Sequence, residues 1–166
     1  MGDLVQDLSL GAGLGLLTLN RTAGINGVSY GGVAVVGKES FGKLERIHFK
    51  NPEKYKVLVA AVSLKGHRRK LVLIACYLLP GYTRQRGVAA LDYIEERLVE
   101  LKRRYKDPYL IVAGDFNHWR VEDSLANFGD MKEVEVGNTR GNSNRQVFYQ
   151  HVQVCSGVRN SLSFGD

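Results

Sequence analysis

Apolar positions change their rhythm three times along this chain. Short aliphatic runs come first, LLTLNRT (16–22), YGGVAVVGK (30–38) and KLERIHF (43–49), each bounded by glycine, asparagine or charge. The intervening AGINGVS carries an Asn26-Gly27 turn pair, so the first two runs predict a hairpin of strands, with a third strand after it. KVLVAAVSL (56–64) and KLVLIACYLL (70–79) are longer and nearly all apolar. Across the short basic KGHRRK (65–70) they predict a second antiparallel hairpin, buried on both faces like the inner strands of a layered protein.

From Val88 to Tyr105 the period lengthens. Ala90, Ile94, Leu98, Leu101 and Tyr105 recur at spacings of three and four, while Glu95, Glu96, Lys102 and Arg103 fill the opposite side. That pattern predicts an amphipathic helix lying on a sheet. Asp107-Pro108 ends it, and YLIVAGDFN (109–117) returns to a buried strand. VEDSLANFG (121–129) is a short helix candidate closed by Gly129. The C-terminal stretch, polar and rich in glycine and asparagine, has no assignable element beyond RQVFYQHVQV (145–154). GAGLG (11–15) lacks the Gly-x-Gly-x-x-Gly spacing and follows no strong strand, which excludes a dinucleotide loop.

Composition narrows the class. The length of 166 residues suits one domain, here 1–166, and the 44% hydrophobic and 24% charged content is that of a globular protein. Cys76 and Cys155 cannot form a disulfide framework, so reduced thiols and an intracellular location are expected. No apolar run is long enough to span a bilayer, so no membrane is expected as a partner. The first residues are acidic, unlike a signal peptide, and Gln6 breaks the myristoylation pattern. A net charge of +6 fits a polyanionic partner such as nucleic acid, or a basic surface that serves only solubility.

Chemistry concentrates where the third buried run ends. Side chains alternate across a strand, so Asp115 and Asn117 are expected on one side and Phe116 on the other, anchored in the core. Gly114 permits close backbone approach. A carboxylate and an amide at the C-terminal mouth of a buried strand can hold a water or cation and donate to a phosphate oxygen. The alternative is a turn in which Asp115 caps the following segment.

VAGDFN after that strand, with IACYLLPG one helix upstream, resembles the endonuclease/exonuclease/phosphatase family. Within it the chain is similar to the endonuclease domains of LINE-type (non-LTR) retrotransposons, whose GGVA strand and TRG segment match SYGGVAVVGKES and NTRGNSNRQVFY in the same order. The resemblance implies an α/β fold, a layered β-sandwich flanked by helices, present here as a partial domain. It implies Asp115 as the water-activating aspartate, Asn117 as the phosphate-contacting asparagine and Tyr77 as a hydrogen-bond donor near the phosphate. Tyr77 read by itself is equally a rim aromatic with a satisfied hydroxyl.

Substrate contacts are expected from Arg84 and Arg86 in TRQRG (83–87), from His118, and from Thr139 and Asn142 of the TRG segment. KGHRRK is a further candidate contact, or a solvated turn. Trp119 either stacks on a base or caps the sheet edge.

The resemblance also implies Mg²⁺ as cofactor, DNA as partner, no organic cofactor, and a nuclear location if the chain serves a retrotransposon. The family's leading asparagine and glutamate strands and its final Asp-His segment have no counterpart here. Arg145 and Gln146 stand where a Leu-Asp pair is usual. Asp115 alone is a poor Mg²⁺ site, and no metal ligand set is assigned. Three readings stay open: a Mg²⁺-dependent DNA endonuclease domain, truncated and weakly active or inactive as this chain; a catalytically dead nucleic-acid-binding fragment; and a phosphatase for a small phosphoester.

Overall fold

β-Branched and leucine-rich runs build two sheets that pack face to face, with a helix on the outer side of the larger one. The computed structural model describes residues 8–10, 13–20, 32–47, 56–79, 81–117, 119, 125, 131–134, 145–150, 152–155 and 161–164. Strands β1 (Leu8–Leu10), β2 (Leu14–Asn20) and β3 (Gly32–Lys38) form a small antiparallel sheet. The larger sheet holds β4 (Gly42–Arg46), β5 (Lys56–Leu64), β6 (Lys70–Tyr77), β7 (Tyr109–Asp115), β8 (Lys132–Val134) and β9 (Arg145–Gln150), in the order β4-β5-β6-β7-β9-β8. Helix α1 spans Arg84–Tyr105, and β10 (Val152–Cys155) pairs with β11 (Ser161–Phe164).

Both expected hairpins form. β2 and β3 pair from Leu14↔Lys38 to Asn20↔Gly32, and β5 and β6 from Lys56↔Tyr77 to Ser63↔Lys70. Side-chain parity then sorts the large sheet into two faces. Val57, Val59 and Ala61 of β5, Val72, Ile74 and Cys76 of β6, and Leu110 and Val112 of β7 join Ala90, Ile94, Leu98 and Leu101 of α1 in one core. The opposite parity, Leu58 and Ala60 with Leu73 and Ala75, packs against Leu17, Leu19, Val33 and Val35 of the small sheet. Continuous apolar runs are therefore required, because each inner strand is covered on both sides. The Arg46 guanidinium donates to the Thr18 carbonyl and ties the two sheets at their margin.

Helix α1 begins four residues before its apolar period does. Thr83 is extended, and its side-chain oxygen accepts the Arg86 N–H at 3.4 Å, an N-cap that starts the helix at Arg84. Arginine is a good helix former, so most of TRQRG joins the helix ahead of the expected start at Val88. At the other end Lys106 takes the left-handed conformation and donates its N–H to the Lys102 carbonyl at 3.1 Å.

Two further differences have simple causes. β1, pairing through Leu8↔Leu16, Ser9↔Gly15 and Leu10↔Leu14, is too short to show a period. β9 earns its place from β7 and β8 on either side, since its polar and apolar residues read weakly alone. The proposed helix at 121–129 lies outside the described residues except for Leu125, which is helical and buried. Among the described residues no helix is long and apolar enough to cross a membrane.

Candidate active site

The parallel pair β6–β7 is the one place in the large sheet where two described strands end side by side with chemistry on both. Parallel strands need a crossover, and α1 supplies it. The register runs from Leu71↔Tyr109 to Tyr77↔Asp115, so Tyr77 and Asp115 are neighbours at the two C-terminal ends. Ligand sites in α/β sheets gather at such ends. Gly114 allows the pairing: a Cβ there would overlap the Cys76 carbonyl.

Two hydrogen bonds clip the strand ends together and a third closes the turn at Asp115. Leu78 N–H donates to the Asp115 carbonyl at 3.0 Å. Asn117 N–H donates to Asp115 Oδ1 at 3.1 Å, and Asn117 Nδ2 donates to the Leu78 carbonyl at 2.6 Å. Phe116 is fully buried, as expected. Strand alternation ends there, because Asn117 adopts φ 53, a left-handed conformation that asparagine tolerates better than most residues. Asn117 thus leaves the strand geometry and reaches across to the β6 end, and Asp115 opens a turn while its carboxylate stays half-buried at the mouth.

Register extends this pair into a row of four. Lys56 is paired with Tyr77 on β5, and Arg145 is paired with Asp115 on β9. Parity puts Lys56, Tyr77 and Asp115 on the face that the small sheet covers, away from α1. Lys56 is 9% exposed and is the charged residue most deeply buried among those described. Sequence reading missed it. Its signal was available, since Lys56 shares the inward parity of Leu58 and Ala60, where a charge is costly without partners.

The other candidates fall elsewhere. Arg84 and Arg86 lie in the first turn of α1, at the same end of the sheet but on its other face, with the Arg86 guanidinium 4.9 Å from the Tyr82 ring centre. Trp119 packs against the core on that side, its indole filling the space that a Cβ on Gly87 would need. Its indole is thereby partly buried against α1.

KGHRRK sits at the opposite end of β6, about 23 Å from Tyr77 at 3.3 Å per residue. There Arg69 pairs with Asp107 at 3.0 Å and lies 5.6 Å from the Tyr109 ring, which His67 meets edge-on. That segment braces the turn and is remote from the site. His118, Thr139 and Asn142 lie outside the described residues.

A divalent cation fits this donor set poorly. Mg²⁺ takes near-octahedral oxygen coordination through more than one carboxylate or substrate phosphate. The row offers one carboxylate, Asp115, and the register position facing it is held by Arg145. Among the described residues no three His, Cys, Asp or Glu side chains gather in one place.

No protein-family sequence model matches the chain, and no curated protein sequence matches it. Solved structures do. An endonuclease/exonuclease/phosphatase family protein from Bacteroides thetaiotaomicron is similar at TM-score 0.61 and 14% identity, over 92% of this chain and 71% of that one. The human nocturnin catalytic domain is similar at TM-score 0.59 and 16% identity, over 92% and 65%. A mannosyl-6-phosphatase from Bacteroides thetaiotaomicron is similar at 0.60 and 13%, over 92% and 73%. With the two-sheet packing, the parallel β6–β7 pair and the crossover helix, these likenesses show that the chain has the layered α/β-sandwich fold of endonuclease/exonuclease/phosphatase proteins.

Proposed function

We propose that residues 1–166 form part of a phosphoesterase-type domain directed at nucleic-acid phosphodiesters, DNA foremost. The observation that carries this reading is the register of Tyr77 with Asp115 at two parallel strand ends, clipped by Asn117. Asp115 holds a water and accepts its proton as the new O–P bond forms. The Tyr77 hydroxyl donates a hydrogen bond to a non-bridging oxygen while the P–O bond to the sugar oxygen breaks; the leaving sugar oxygen takes a proton from solvent, giving a phosphomonoester and a free hydroxyl. Mg²⁺, implied by the resemblance, would add Lewis-acid activation in such chemistry, but the described residues do not fit it and no step here runs through it.

Support for a phosphate-bearing substrate comes from the neighbours: the nocturnin domain was solved with a bound sulfate anion, and another neighbour is a sugar phosphatase. The net charge of +6 favours a polyanion over a small phosphoester. The order of the GGVA, CYLLPG, GDFN and TRG segments supports a LINE-type retrotransposon origin, with a nuclear place of action. A binding-only domain is the second reading, favoured by the single carboxylate between two cationic positions.

Nicking of supercoiled plasmid by the purified chain, with Mg²⁺ and with EDTA, tests the proposal. Slow nicking that disappears in Asp115→Asn is expected. Salt-sensitive binding without nicking would replace hydrolysis by binding, and neither binding nor nicking would overturn both readings.

A further inference from the structure

Two basic segments that the phosphoester chemistry leaves unused meet at one end of the fold. KGHRRK (65–70) turns from β5 into β6, and KRRYKD (102–107) runs through the end of α1 toward β7. The register Leu71↔Tyr109 brings them side by side, and Arg69 pairs with Asp107 across the gap at 3.0 Å. Between them the segments hold eight lysines and arginines and one carboxylate, a surplus of seven where the whole chain carries +6. The dipole of a helix C-terminus answers about half a charge, so it accounts for only part of this.

Part of that charge is used within the fold: Lys70 donates to Ser63 Oγ, and the Arg104 guanidinium lies 5.4 Å from the Tyr105 ring centre. Lys65, Arg68, Arg103 and Lys106 are exposed, and among the described residues no carboxylate pairs with them. Tight backbone holds two of them out. His67 N–H donates to the Leu64 carbonyl at 3.3 Å with Gly66 at φ 80, a turn with Lys65 at its tip. Lys106 and Asp107 are both left-handed, at φ 50 and φ 63. Clustered like charges repel one another unless a polyanion covers them. Single strands are gripped by stacking on exposed aromatic rings, whereas here Tyr109 is buried and Tyr105 half-buried. A duplex needs only phosphate contacts.

We propose that the 65–70 turn and the C-terminal end of α1 form a docking surface for the phosphate backbone of duplex DNA. It lies about 23 Å along β6 from the Tyr77–Asp115 site, at the opposite end of the sheet. Lys65 and Arg68 contact phosphates from the turn, and Arg103 and Lys106 from the helix end. Lysine does so as a compact point charge and arginine as a planar fork of donors. Such binding reads no base sequence and takes no divalent cation. It goes beyond the phosphoester reading, since this surface holds DNA whether or not the far site hydrolyses it.

Fluorescence anisotropy with a labelled DNA duplex of mixed sequence, in EDTA, tests this. Lys65→Gln with Arg68→Gln, and Arg103→Gln with Lys106→Gln, each weaken binding about tenfold or more near 0.1 M salt. Each pair also flattens the slope of log affinity against log salt by about 1.8, as two lost phosphate contacts require. Removing the same charge at the other end of α1, in Arg84→Gln with Arg86→Gln, costs less than about threefold. In the wild-type protein the duplex protects Lys65 and Lys106 from acetylation, a readout that needs no substitution. Unchanged affinity in the distal pairs, shown to be folded by circular dichroism, overturns the inference. So does an equal loss in the Arg84 and Arg86 pair, or acetylation that the duplex does not slow. Polyglutamate competing as well as unlabelled duplex overturns it in favour of an acidic protein partner. Plasmid nicking and its loss in Asp115→Asn judge the phosphoester reading separately.

Discussion

The side-chain amide of Asn117 donates to the backbone carbonyl of Leu78 at 2.6 Å, joining residues 39 apart in sequence at the mouth of the site. A residue that resembles a substrate contact thereby holds two strand ends in register.

Removing that bond is the first prediction. Asn117→Ala loses one hydrogen bond and places alanine at φ 53, for a combined cost of about 2 kcal/mol. Asn117→Gly keeps the backbone conformation and loses only the bond, about 1 kcal/mol. Thermal melts should order the variants wild type, then Gly, then Ala, with steps of about 2–4 °C. Equal melting temperatures for Gly and Ala would show that the left-handed conformation is not enforced.

Gly87→Ala sets α1 against Trp119. The new methyl overlaps the indole, which must move, at a cost of roughly 1–3 kcal/mol. Trp119 is the sole tryptophan, so its fluorescence reports the shift directly. A red-shifted emission and stronger acrylamide quenching are expected, and an unchanged spectrum would place the indole elsewhere.

Burial pushes the Cys76 thiol well above the ordinary thiol range. In the unfolded chain the same thiol ionises near 8.5. The unfolded state therefore releases its proton first, so the stability held in full below about pH 8.5 falls as pH rises toward the folded value. The slope approaches 1.4 kcal/mol per pH unit. Urea melts between pH 8 and 10.5 should show that fall in a Cys155→Ser background, and Cys76→Ala should flatten it. Native protein should also resist thiol reagents at Cys76 until it unfolds.

Lys106 caps α1 at φ 50, a conformation costing a side-chain-bearing residue about 1 kcal/mol or more. Lys106→Gly should stabilise the protein by up to about 1 kcal/mol, because no described bond of the lysine head is lost and glycine is preferred at this cap. A rise of about 2–4 °C in the melting temperature checks it.

What was legible in the sequence was whatever depends on neighbours in the chain. Alternation and long apolar runs specified β2, β3, β5, β6 and β7, and the three-four spacing specified the body of α1, because burial of one face repeats with the period of the element itself. GDFN marked a strand end with polar residues, and that is where Asp115 stands.

Register and cross-strand pairing were decided only in three dimensions. A strand does not encode which partner residue it will face, so nothing in KYKVLV shows that Lys56 lies beside Tyr77, and nothing in NRQVFY shows that Arg145 lies opposite Asp115. The turn at Asn117 is of the same kind: alternation predicts its side chain until the backbone leaves the strand, and the carbonyl of Leu78 waits on another strand to receive it. Local sequence specifies which face each residue takes within its element, whereas the site arises from the sum of long-range pairings that bring four strand ends together.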